Sequence, residues 1–289
     1  MAILELLGVS YVYGKGTPFE KTALNNVSVA FEEGLTTGII GHTGSGKSTL
    51  VQMLNGLNTP TRGEVLFEGK NVRENKKDLR PLRFKVGLVF QYPEYQLFEE
   101  TVEADVAYGP RNMGLSEDEI AVRVRRCLEF TGIPEKLVKK SPFELSGGQK
   151  RRVAIAGVMA MHPKVLVLDE PAAGLDPAGR DAILGGVDMW RRETGGTVII
   201  VSHSMEDIAE HCDRILVMND ASVFAYGTPK EIFSRADELT ALGLDTPQIN
   251  RVCNLLRQKG IALPDDIYTI DEALDALLPL IAKKGGKNA

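Results

Sequence analysis

From position 41 the chain reads Gly-His-Thr-Gly-Ser-Gly-Lys-Ser-Thr, and no other stretch restricts its fold as tightly. The run fits the pattern G-x-x-x-x-G-K-[ST]. A short β-type apolar run, 35–40, precedes it. A helical pattern with apolar residues at 50, 51, 53 and 54 follows and is stopped by Asn55-Gly56. Glycines in such a loop let the backbone wrap so that successive N–H groups point inward, and the helix N-terminus adds partial positive charge. The order strand, glycine loop, helix therefore predicts a cradle for a phosphate chain. Gly41, Thr43, Gly44, Ser45, Gly46 and Thr49 would line it, Lys47 would reach the β and γ phosphates, and Ser48 would hold Mg²⁺.

The remaining apolar runs predict an α/β chain. Residues 27–31 alternate apolar and polar, 64–67 lead into a Glu68-Gly69 turn, and 86–90 are wholly apolar. Between 93 and 163 the character is helical, at 102–108, 117–131 and 149–161. Strands return at 165–168 and 198–201, continuous runs of the kind found in parallel strands buried on both faces. Asp176-Pro177 opens a helix, and Ser204 to Asp207 is a capping-box pattern. Strands at 215–218 and 223–226 come last, before a capped helix at Thr228-Pro229-Lys230-Glu231. We expect an α/β domain over 1–228 with a helical subdomain at about 93–163. A mostly helical C-terminal domain, 229–289, follows and ends in a flexible Lys283-Lys-Gly-Gly-Lys287.

Composition excludes several classes. The net charge of −5 argues against a broad nucleic-acid footprint. No apolar run approaches the roughly 18 residues needed to span a bilayer. The first ten residues lack a basic n-region, so no signal peptide is expected. Cys127, Cys212 and Cys253 are scattered, which fits a reducing compartment and small buried side chains rather than a disulfide frame. Asp169 and Glu170 close the 165–168 strand, where ligands of open α/β sheets bind. Asp169 is placed to coordinate the metal, and Glu170 to polarise an attacking water.

Leu145-Ser146-Gly147-Gly148-Gln149, shortly before that acidic strand end, resembles the signature of ATP-binding cassette (ABC) ATPases. The resemblance covers roughly 1–228. It implies a P-loop NTPase core of ABC type: a mixed sheet, an antiparallel β subdomain and a helical insertion. Gln91 resembles the Q-loop glutamine and a Mg²⁺ contact, Asp176 lies in the D-loop, His203 resembles the switch histidine, and Tyr13 is similar to the adenine-stacking aromatic. By residue position Tyr11 competes with Tyr13; Gly14 favours the latter. The other histidines, His42, His162 and His211, read as structural. The family pairs cassettes head to tail, each ATP lying between one chain's phosphate loop and the other's signature. Glu170 and His203 would then be the catalytic residues.

Phe90-Gln91-Tyr92-Pro93-Glu94-Tyr95-Gln96-Leu97-Phe98 resembles the ATPases of energy-coupling factor (ECF) transporters, importers of vitamins and transition-metal ions. The features 17–20, 40–43 and 143–149 look like the second ATPase subunit of a shared module. That implies a sister ATPase in a heterodimer, a transmembrane scaffold protein and an exchangeable substrate-binding membrane protein, with this chain peripheral on the cytoplasmic face. The segment between Lys85 and Arg111 carries no lysine or arginine. Its acidic and aromatic residues predict a dock for an arginine-bearing helix, built on Gln91, Tyr92, Glu94, Phe98 and Glu99. The leucines of the tail suggest either a cap on the core or a dimer contact. A soluble ABC ATPase acting on nucleic acid or ribosomes is the alternative. The short interval between Ser48 and Leu145, the single cassette and the negative charge disfavour it. A non-catalytic subunit would lack Glu170 or His203.

Overall fold

The computed structural model describes residues 1–74 and 78–285, with side chains to residue 280. Its strands are β1 (Ala2–Tyr13), β2 (Lys21–Glu32), β3 (Thr36–Ile40), β4 (Arg62–Phe67), β5 (Lys70–Asn71), β6 (Val86–Val89), β7 (Val165–Asp169), β8 (Thr197–Val201), β9 (Arg214–Asn219) and β10 (Ser222–Gly227). Its helices are α1 (Lys47–Leu54), α2 (Arg80–Lys85), α3 (Val102–Asn112), α4 (Glu117–Phe130), α5 (Gly147–Met159), α6 (Pro177–Thr194), α7 (Met205–His211), α8 (Pro229–Phe233), α9 (Ala236–Ala241), α10 (Gln248–Gln258) and α11 (Ile270–Gly285).

Two sheets carry the fold. The larger runs β10-β9-β3-β8-β7-β6, all parallel except for the edge strand β10; the smaller, β2-β1-β4-β5, is antiparallel. The continuous apolar runs of β7 and β8 have a simple cause. Leu166, Leu168, Val198 and Ile200 face one core, shared with α3 to α6. Val165, Val167, Ile199 and Val201 face the other, shared with α1 and the antiparallel sheet. With a side-chain period of 2, a strand between two cores must be apolar at every position. Each fully buried branched side chain is worth about 1.5–3 kcal/mol.

Between 93 and 163 the described elements are helical, and beyond Gly227 only helices follow. Leu239 and Leu244 pack with α7, α8 and β9. Leu255, Leu274 and Leu278, by contrast, stay about half exposed on α10 and α11. The helix α11 carries the chain through Lys283 to Gly285, so the first part of the expected flexible tail is helical; the remainder lies outside the described residues.

The first strand and the two capping patterns differ in how plainly the chain signals them, and only the expected box at 204–207 changes. The first strand, β1, lacks a clean alternation because its register against β2 shifts repeatedly. Each bulge moves the apolar set by one residue and hides the period from a linear reading. The 204–207 pattern caps α7 on one side only: the Ser204 hydroxyl accepts from the Asp207 N–H, while the Asp207 carboxylate is taken by Arg180. At Thr228 and Glu231 the reciprocal box does form, because the glutamate side chain is long enough to return to the Thr228 N–H.

Candidate functional site

The loop after β3 bends back over the carboxyl end of the large sheet. Gly41 and Gly46 both need to be glycine. A Cβ at Gly41 would lie 2.4 Å from the Met218 carbonyl oxygen, and one at Gly46, where φ is 105°, would lie 2.4 Å from that of Ala23. Gly46 is also the N-cap of α1 and offers no side chain to the first-turn N–H groups, which stay open to an anion. Lys47 is folded onto its own loop, its Nζ donating to the carbonyls of Gly41 (2.6 Å) and His42 (3.0 Å). Burial holds its pKa below the ordinary lysine value against the pull of Glu170 and Asp169. The Ser45 hydroxyl is buried with no hydrogen-bond partner. The loop has the features of a cradle for an anionic chain.

A cavity of about 320 Å³ joins this loop to the strand ends, lined among others by Tyr13, Lys47, Ser48, Gln91, Asp169, Glu170 and His203. Burial raises the Asp169 carboxyl, with Ser48 beside it partly offsetting the effect. Ser48, Asp169 and the nearby Gln91 form an oxygen-donor set of the kind a hard divalent cation takes, so the residues fit Mg²⁺. Glu170 adopts φ 53°, an uncommon conformation for a side-chain-bearing residue, and its N–H donates to the Val201 carbonyl at 3.0 Å. Burial and then the Asp169 charge push its carboxyl up to about 7. His203 Nε2 is 3.3 Å from Glu170 Oε1, yet that oxygen has no aligned hydrogen-bond donor. Burial and the Lys47 charge lower the His203 pKa, with Asp169 opposing.

Tyr13 is 41% exposed at the cavity edge, its hydroxyl 3.2 Å from Thr49 Oγ1. Tyr11 packs beneath it, edge to face, ring centroids 4.8 Å apart, and joins the core. Of the two tyrosines, Tyr13 has the free face. Lys21 also lines the cavity and escaped the sequence reading. Nothing in the local sequence marked it out, since Lys15 lies closer to Tyr13. His42 bonds the Thr43 carbonyl of its own loop and the Asn219 side chain at the end of β9.

The signature residues lie elsewhere. Ser146 caps α5: its Oγ accepts from the Gln149 N–H, and the Gln149 side chain accepts from the Ser146 N–H. Leu145 is buried in the core and anchors the motif. Ser146, Gly148 and Gln149 share a second concavity of about 420 Å³ with Gly174, Leu175 and Asp176. Asp176 caps α6, its Oδ1 accepting from the Gly179 N–H at 2.7 Å. None of these residues lines the cavity around Lys47.

The expected docking surface is corrected at one position. Tyr92, Tyr95 and Phe98 are exposed, and Glu99 is partly so. Glu94 points inward and is held by Arg151, so its carboxylate is not available to a partner. Asp105, in the first turn of α3, accepts from the N–H groups of Phe98 and Glu99 and shapes this surface from below.

Residues 24–173 match the family described as ABC transporter. The chain is 51% identical over 279 residues to the energy-coupling factor transporter ATP-binding protein EcfA2 of Clostridium perfringens, covering 96% of this chain and 98% of that one. It is 52% identical to the protein of the same name from Symbiobacterium thermophilum, with 96% of each covered. Among solved structures it resembles cbiO1 of Clostridium perfringens, described as part of the ABC transporter complex cbiONQ (TM-score 0.74, 41% identity, 88% and 99% covered). It also resembles the ATP-binding cassette MJ0796, solved as a dimer in a post-hydrolysis state with ADP and Pi (TM-score 0.71, 29% identity, 78% and 98% covered).

Proposed function

We propose, for a chain that belongs to the family of energy-coupling factor transporter ATP-binding proteins, that its two separated concavities are the two halves of a composite ATP site. The chain is an ATPase subunit of an ECF-type ABC importer and couples ATP hydrolysis to transport. The observation that carries the proposal is the distance in the fold between cradle and signature. Lys47, Glu170 and His203 share one cavity; Ser146, Gly148 and Asp176 share another. A second cassette turned head to tail closes each cradle with a signature. The resemblance to a dimeric cassette supports this, and the second-subunit sequence features favour a sister chain over an identical one.

In this reading Lys47 and the open N–H groups of α1 bind the triphosphate, and Tyr13 stacks on the base. Mg²⁺ held by Ser48, Gln91 and Asp169 would neutralise charge on the phosphates. Glu170 orients the attacking water and takes its proton as the oxygen bonds to the γ-phosphorus and the bond to ADP breaks. His203 holds the γ-phosphate and Glu170 in register. Hydrolysis drives uptake of a vitamin or other micronutrient through a membrane scaffold and an exchangeable binding protein. Among the described residues no helix is long and apolar enough to cross a membrane; peripheral attachment at the cytoplasmic face fits. Gln91, Tyr92, Phe98 and Glu99 form the dock for the scaffold. The domain 229–289, with Leu255, Leu274 and Leu278 half exposed, keeps two ATPases together when their ATP sites open.

The test combines mild-detergent purification from membranes with Glu170→Gln. The wild-type complex should hydrolyse ATP, and the variant should bind ATP, hold the two cassettes together and not turn over. Absence of ATP-dependent pairing with every co-purifying cassette would remove the composite site.

A further inference from the structure

Arg151, on the second turn of α5, leaves only 4% of its surface exposed. Its guanidinium makes a two-pronged contact with Glu94: Nε donates to Oε2 at 3.1 Å and Nη2 to Oε1 at 2.9 Å. Its Nη1 donates to the Ala173 carbonyl, and the Tyr92 ring centroid lies 5.7 Å from its central carbon. One side chain thus joins three segments. Tyr92 and Glu94 belong to the turn after Gln91. Arg151 itself belongs to the helix that starts at the signature. Ala173 lies in the turn between Glu170 and Asp176, where its own N–H donates to the Glu170 carbonyl.

The pair is not needed merely to fill space. Taking a guanidinium and a carboxylate out of water costs about as much as their attraction returns, and an apolar pair of similar volume holds a fold equally well. Burial works to raise the Glu94 pKa, but the Arg151 bonds and charge prevail and hold it below the ordinary carboxylate range. What the ion pair adds is direction, because a planar fork meeting a carboxylate fixes angle as well as distance. The turn it grips is stiff: Tyr92 sits at φ 58° and ψ 54°, and Pro93 is buried. Displacing the exposed Tyr95 and Phe98 face should therefore carry Arg151 with it.

We propose that Arg151 is a positioning residue for hydrolysis, locking the turn after Gln91 and the turn after Glu170 onto the signature helix so that the three move as one body. This rests on the reading of the chain as a transport ATPase and adds the route by which a docked partner reaches both halves of the site.

The experiment compares wild type, E94M/R151M and R151K in the complex that co-purifies from membranes, measuring melting temperature, KM for ATP and kcat. The double variant should assemble, melt with wild type and keep its KM, because the cradle residues are untouched, while kcat falls roughly 10- to 100-fold. R151K keeps a charge and a donor for Glu94 and should recover part of that loss. Wild-type kcat in E94M/R151M overturns the proposal. So does a kcat that falls only in step with melting temperature, with R151K no better than the double variant. Should the double variant fail to assemble, R151K decides alone. Lower kcat at unchanged KM and melting temperature supports the proposal, and any other result overturns it. A wild-type complex without ATPase activity would strike the functional reading itself, and this inference with it.

Discussion

His203 Nε2 stands 3.3 Å from Glu170 Oε1, although the two residues are 33 positions apart in the chain. The sheet makes the contact. Asp169 and Val201 pair in register on the adjacent parallel strands β7 and β8, so the residues just beyond both strands emerge at the same level. The φ of 53° at Glu170 then turns its side chain toward the cavity.

Burial of Glu170 beside the Asp169 charge predicts a gain in stability when its own charge is removed. Its carboxyl is raised from 4.5 to about 7 in the metal-free protein. Between those values the folded state binds more protons than the unfolded chain, so stability falls as pH rises from 4.5 through 7. Glu170→Gln should raise stability at pH 8 by about 1–3 kcal/mol, with the advantage shrinking toward pH 5. Denaturant unfolding at several pH values measures it. The same variant should lose roughly 100-fold or more in kcat.

The two tyrosines at the end of β1 should separate by phenotype. Tyr13→Ala should weaken ATP binding by about 1–3 kcal/mol and barely change the melting temperature. Tyr11→Ala should do the reverse, losing roughly 1–3 kcal/mol of stability because it packs on the core. Nucleotide titration and thermal melting on both variants test the assignment.

Charge reversal in the 94–99 turn should also give two outcomes. Glu94→Lys leaves Arg151 buried beside a like charge and should cost about 3–5 kcal/mol of stability. Glu99→Lys should leave the unfolding free energy within about 0.5 kcal/mol of wild type and weaken assembly with membrane partners. Recovery of the intact complex with Glu99→Lys would remove Glu99 from the dock.

His211, at the C-terminus of α7, bonds Asp188 of α6 at 2.7 Å. Burial opposes its charge, but the Asp188 bond and the charges of Asp188, Glu210 and Asp207 raise its pKa above 6.5. The stabilisation is therefore complete below pH 6.5 and lost as pH rises through the folded-state value. His211→Gln should flatten that slope, removing about 1 kcal/mol of acid-side stability. Unfolding free energies at pH 5.5 and 8.5 check it.

Much of the site is readable along the chain because its parts are short-range. Gly41 to Thr49 specifies a loop by where side chains are forbidden, and Ser146 with Gln149 closes a capping box four residues long. The long, bulged β1 strand was not readable, since register shifts break the alternation that marks a strand. Glu94 looked like part of a docking surface because local charge pattern carries no information about which way a side chain turns.

The local backbone devices, the strand runs and the family resemblance are all encoded within windows of a few residues. That Glu94 turns to Arg151, 57 positions away, that Tyr13 rather than Tyr11 keeps a free face, and that cradle and signature occupy different concavities follow from the packed fold alone. The reason is physical. A turn or cap is fixed by neighbouring backbone atoms, whereas pairing between distant side chains depends on which strands the sheet lays side by side.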